Sequence, residues 1–118
     1  MAAPSSFGRI KYKDLGSTQA TVHSNSNGSG YTRQLKGARF SNRTANTIRL
    51  TVWFSDGTTD HEIVSGFAIP PNDLFMLYEA EMDVLEDGDS VKAKVTADDG
   101  SSITNACDVW GGYMEWRL

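Results

Sequence analysis

The sequence predicts an all-β fold: an antiparallel β-sandwich, jelly-roll-like, of about eight strands. Three observations lead there. Apolar and polar residues alternate with period two in separate runs, as in Ile48-Arg49-Leu50-Thr51-Val52-Trp53-Phe54 and Val91-Lys92-Ala93-Lys94-Val95. Turn signals such as Asn27-Gly28, Asp56-Gly57, Asp87-Gly88 and Asp99-Gly100 recur along the chain. No run carries a sustained helical period. With 118 residues, the chain suits one domain, which buries about two-thirds of the surface its unfolded form exposes.

Residues 1–8 are small and polar apart from Phe7 and read as a flexible N-terminal arm. Residues 9–118 read as the sandwich domain. Strand alternation starts at Arg9-Ile10-Lys11-Tyr12-Lys13, with Ile10 and Tyr12 on one face and three basic groups on the other. Asp14 to Ser17 reads as a turn, Gln19 to His23 as a short strand, and Ser24 to Gly30 as a flexible loop. Lys36 to Arg43 sends Ala38 and Phe40 inward and Arg39 and Arg43 outward. Thr44-Ala45-Asn46 turns the chain into the clearest strand, whose Ile48, Leu50, Val52 and Phe54 face the core. Glu62 to Ser65 and Phe67 to Ile69 are strand pieces broken by Gly66. Pro70-Pro71 then ends pairing, because proline donates no ladder hydrogen bond.

Leu74 to Met82 has both helical spacing and strand neighbours, and strand is preferred. Val91, Ala93 and Val95 form a second core strand. The last run, from about Ile103 to Leu118, places Trp110, Gly112, Met114, Trp116 and Leu118 on one face.

Composition narrows the chemistry. The net charge of −4 lacks the electrostatic footprint of a nucleic-acid-binding chain. No apolar run approaches the ~20 residues that span a bilayer. The start lacks the charged and apolar regions of a secretory signal, and the absence of an intrachain disulfide fits an intracellular folding compartment. The single cysteine, Cys107, forms no intrachain disulfide and reads as a buried apolar filler. Hydrolytic triads need a base, and only His23 and His61 are present. In Asp60-His61-Glu62, neighbouring strand residues point to opposite faces, so the carboxylates do not orient that imidazole. Two histidines and one scattered cysteine make no zinc pattern. The carboxylates between Glu79 and Asp89 lack EF-hand spacing and read as solvated turns rather than a calcium site. No catalytic residue, cofactor or metal is therefore expected.

Arg33, Lys36, Arg39, Arg43 and Arg49 form a basic segment, with Tyr31 and Phe40 nearby, read as outward strand charges or a docking strip for an acidic partner, with a nucleic-acid strip ranked last given the acidic total. Trp53 lies opposite the apolar face of its strand, where a large aromatic suits an interface. The candidate partner interface is Phe7, Arg9, Arg39, Arg49 and Trp53. Aromatics on a β-face also serve as sugar platforms, which keeps carbohydrate open as a partner.

Five segments follow one another from about Tyr31 to Glu115. They are Gly37-Ala38-Arg39-Phe40-Ser41-Asn42, then Thr51-Val52-Trp53-Phe54 with Asp56-Gly57, then Ile69-Pro70-Pro71. Val84-Leu85-Glu86-Asp87-Gly88-Asp89-Ser90-Val91 comes next, and finally Gly112-Tyr113 with Glu115. This order resembles the small β-sandwich virion proteins of tailed bacteriophages. The chain departs from them before residue 40, where Arg33-Gln34-Leu35-Lys36-Gly37 replaces the usual Pro-Ala-Gly turn, leaving strand pairing there open. The resemblance implies a non-enzymatic structural role in a virion assembled in the host cytoplasm. Capsid decoration, or cement, on the outer capsid surface stands first, with the major capsid protein or another virion protein as partner. It also implies a homo-oligomer, with a trimer favoured. A tail or fibre component is the near alternative. A carbohydrate-binding adhesion module is the alternative of a different class.

Overall fold

A computed structural model describes residues 6–25, 31–78 and 84–117. These residues form nine strands and no helix: β1 Ser6–Leu15, β2 Ala20–Ser24, β3 Tyr31–Asn42, β4 Ile48–Ser55, β5 Asp60–Ile69, β6 Leu74–Tyr78, β7 Val84–Leu85, β8 Ser90–Ala97 and β9 Cys107–Arg117. One sheet runs β1-β9-β3-β6, with the two-residue β7 also on β3, and the other runs β2-β8-β4-β5. Every pairing is antiparallel. The partners nest from the termini inward: β1 with β9, β2 with β8, β3 with β6 and β7, β4 with β5. A long antiparallel ribbon folded over on itself is the jelly roll that the alternation and turn spacing predict.

The core lies between the sheets. Ile48, Leu50, Val52, Val91, Ala93 and Val95 are buried as expected, facing Ile10, Leu35, Phe40, Leu77 and Val109 of the other sheet. Phe54 is only partly buried: the alternation of β4 slips beyond the register shifts around Val52, and Ser55 is buried instead. Asn42 is a buried polar residue, satisfied because its Nδ2 donates to the carbonyls of Asn46, Ile69 and Pro70. That hub holds the β3–β4 turn against the Pro70 corner.

Several expectations change. The arm of residues 1–8 is in part strand: Ser6, Phe7 and Gly8 pair with Glu115, Met114 and Tyr113, while residues 1–5 lie outside the described residues. Backbone hydrogen bonding to a long neighbour recruits even polar residues into a ladder. The open pairing before residue 40 resolves: β3 is paired with β9 from Tyr31 to Asn42, with a register shift between Leu35 and Gly37. Gly66 does not break the strand but bulges it, at φ 58°, within a continuous β5. The last strand begins at Cys107 rather than near Ile103. Of the expected flexible loop, Ser24 belongs to β2 and Asn25 is buried, while residues 26–30 lie outside the described residues. The strand expected over Leu74 to Met82 is observed to Tyr78; residues 79–83 and Leu118 lie outside as well.

Candidate interaction face

Strand β9 is central to its sheet, and its alternation decides what the outer face carries. Cys107, Val109 and Glu115 are buried, so Trp110, Gly112 and Met114 project outward. Register then assembles the neighbours. Trp110 lies between Lys11 of β1 and Arg39 of β3, Gly112 lies between Arg9 and Gly37, and Met114 lies between Phe7 and Gln34. Met76 of β6 is opposite Arg39.

Trp110 is 50% exposed and Phe7 74% exposed, more than a sheet face usually concedes to large apolar groups. Lys11 Nζ stands 5.5 Å from the Trp110 ring centroid, within cation–π range. The ring borders an open depression of about 460 Å³, floored by Gly37, Gly111 and Gly112 and rimmed by Arg9, Lys36, Arg39 and Met76. Gly112, outward between Arg9 and Gly37, leaves no side chain to fill it. Gly111 is required: a Cβ would lie 2.2 Å from the Gly37 carbonyl oxygen.

Charge on this face is left over from pairing elsewhere. Arg43 bonds Asp14 and Asp108, Arg49 bonds Asp98 at 3.0 Å, and Lys92 bonds Asp60 at 3.2 Å. Among the described residues, Arg9, Lys13 and Arg39 form no ion pair.

The five expected interface residues are divided. Phe7, Arg9 and Arg39 share the outer face of the β1-β9-β3-β6 sheet. Arg49 and Trp53, on β4, belong to the outer face of the other sheet. Strand alternation sent Arg9, Arg39, Arg49 and Trp53 outward but did not say on which of two opposite faces, and Phe7, read as part of a flexible arm, lies on β1. Trp53 is also half-buried, with Lys94 Nζ 5.9 Å from its ring centroid. Arg33, read as an outward charge, is buried. Its Nε donates to Glu115 at 2.7 Å, its Nη1 to the Ser24 carbonyl at 3.0 Å, and the guanidinium lies 4.3 Å over the Tyr113 ring. The register shift at Leu35–Gly37 turns that end of β3 inward-facing at odd positions. Trp110 is the residue sequence reasoning missed as a site. The signal was present in the alternation of β9, since the opposite face carries Cys107 and Val109, better suited to a core.

Cys107 and the two histidines lie away from this face. Cys107 is fully buried, and burial, then the charge of Asp108, pushes its thiol up to about 12. A thiol held protonated is a poor nucleophile. His23 is lowered to about 4 by burial and then by the Arg33 charge. Arg33 Nη1 lies 3.2 Å from His23 Nε2; arginine can only donate, so Nε2 accepts and the ring's proton sits on Nδ1. His61 is exposed, 3.5 Å from Asp56. Among the described residues no three His, Cys, Asp or Glu side chains gather as a metal site.

No protein family and no curated protein matches the sequence. Two solved structures are similar. One is described as "Bacillus endospore appendages form a novel family of disulfide-linked pili"; it is 11% identical over 100% of this chain and 96% of its own, with TM-score 0.50. The other is a chain of infectious bursal disease virus strain Gx, 7% identical over 98% of this chain and 34% of its own, with TM-score 0.53. This chain thus spans about a third of the viral one. At such identities the likeness establishes the fold: an all-β sandwich of two antiparallel sheets.

Proposed function

We propose that this chain is a non-enzymatic structural protein of a tailed-phage virion, most specifically a capsid decoration protein bound to the outer capsid surface. The observation that carries this reading is the outer face of the β1-β9-β3-β6 sheet. It presents Phe7, Trp110 and Met76 among unpaired arginines, with no described element of the chain covering it. Tryptophan and arginine dominate the energetics of protein interfaces because they combine apolar area with directed polar contacts. The two similar folds, one from pili and one from a virus, belong to proteins of large assemblies, which supports a scaffold without an active site. A tail component would use the same face.

The test is co-sedimentation with purified phage particles that lack this protein. Wild type should co-sediment saturably, and Phe7→Ser should bind more weakly with an unchanged melting temperature, since Phe7 is mostly exposed. Absence of saturable binding would reject the reading. A second reading, a carbohydrate-binding module, is favoured by the half-exposed Trp110 beside a glycine-floored depression. Binding to host polysaccharide but not to particles would select it.

A further inference from the structure

Arg9 and Arg39 form no ion pair among the described residues, and an acidic projection elsewhere on the chain forms none either. The turn between β7 and β8, Glu86 to Asp89, is exposed at Glu86, Asp87 and Gly88. Neither Glu86 nor Asp87 forms an ion pair among the described residues. The turn is also held in shape. Asp89 N–H donates to the Glu86 carbonyl, and Glu86 N–H donates to Asp89 Oδ2. Buried Asn25 clamps it from below: its backbone N–H donates to the Asp89 carbonyl, its carbonyl accepts from Gly88, and its Nδ2 donates to the Leu85 carbonyl. A rigid projection loses little conformational entropy when it docks.

We infer that the Arg9–Arg39–Trp110 depression receives the Glu86–Asp87 turn of a second copy of this chain. The assignment rests on the reading of that sheet face as a protein interface. The two patches are opposite in charge, one concave and one protruding, and both stand apart from the ion pairs that Arg33, Arg43, Arg49 and Lys92 form. The depression admits a protruding turn because its floor is backbone, and Arg9 and Arg39 flank it as donors for two carboxylates. The turn lies at the end of the sandwich and the depression on a sheet face, so each copy offers one of each. Such a contact joins unlike patches, and repetition closes a ring or extends a row.

Analytical ultracentrifugation of the isolated full chain tests this with a charge swap. Wild type should associate with rising concentration at ~0.01 M salt. It should dissociate towards ~1 M salt, where the screening length shortens from ~30 to ~3 Å. Arg9→Glu/Arg39→Glu and Glu86→Lys/Asp87→Lys, each shown folded by circular dichroism, should each associate at least roughly tenfold more weakly alone. An equimolar mixture of the two should restore association, because the reversed face meets the reversed turn. A monomeric wild type at low salt overturns the inference, as does a mixture no better than either variant. Binding of an acidic polysaccharide by a monomeric wild type would also overturn it, and would reassign the depression. Failure here is separable from failure of the virion reading. A monomer that still co-sediments with particles refutes only the self-contact, and a self-associating chain that ignores particles refutes only the attachment.

Discussion

Cys107 shows how a residue's neighbours set its chemistry. It is fully enclosed among Leu15, Asn42 and the core, and its thiol stays protonated at neutral pH. Native protein should therefore resist a thiol reagent that reacts promptly in denaturant. Cys107→Ser should destabilise by roughly 1–3 kcal/mol, because it places a hydroxyl in an apolar site. Denaturant unfolding checks the second outcome, and an unshifted midpoint would contradict the burial.

His23 makes the second residue-scale prediction. Its folded pKa of about 4 lies below the unfolded value of 6.5. Above pH 6.5 the ring is neutral in both states and its contribution to stability is complete. Between pH 6.5 and 4 the unfolded chain binds the proton and the folded one does not, so stability falls as pH falls through that window. Protonation would set an imidazolium against the Arg33 guanidinium, with Glu115 already engaged by Arg33. The surface carboxylates held below their usual range, Asp56, Asp60 and Asp99, release their contribution at lower pH. Melting temperature should thus decline from pH 6.5 to 4 in wild type and decline less in His23→Gln. Parallel profiles would rule out His23 as the cause.

Among the elements, β9 organises the molecule. It is the inner strand shared by β1 and β3, and its two faces make different things: core on one side, interaction face on the other. Its glycine pair ties them together. Gly111→Ala would drive a methyl against the Gly37 carbonyl, backbone against backbone, where no rotamer change gives relief. It should destabilise by roughly 1–3 kcal/mol and shift the β3 register near Gly37. Gly66, whose Cβ position is open, sits at a bulge with φ 58°; Gly66→Asn should be far milder because asparagine tolerates that backbone region. Urea titrations of the two variants, compared directly, check the contrast.

At the scale of the whole molecule, Phe7, Arg9 and Arg39 on one sheet and Arg49 and Trp53 on the other cannot contact a flat partner at once. If the β1-β9-β3-β6 face attaches to particles, Trp53→Ala should leave co-sedimentation nearly unchanged and cost mainly stability, since Trp53 is half-buried under Lys94. Loss of attachment with an intact fold would instead place the particle contact on the opposite sheet. Deletion tests of the N-terminus need the same care. Removing residues 2–8 also strips Ser6 to Gly8 from β1, so a deletion of residues 2–5 separates attachment from sheet integrity.

By itself the sequence determined what local chemistry controls. Alternation announced the strands and the core positions Leu50, Val52, Ala93 and Val95; Asp-Gly pairs announced the turns; and the single cysteine read as a buried filler. These follow from side-chain periodicity and backbone preference within a few residues. The tertiary structure alone decided what depends on register between strands distant in sequence. It put Lys11 and Arg39, from β1 and β3, on either side of Trp110 in β9. It set Arg33 against Glu115, 82 positions away, turning an apparent surface charge into a buried one. It sent Trp53 and Arg39 to opposite sides although both point outward. Period two states only that a side chain is in or out. Which sheet a strand joins, and therefore which outside it faces, is fixed by long-range pairing that no local pattern encodes.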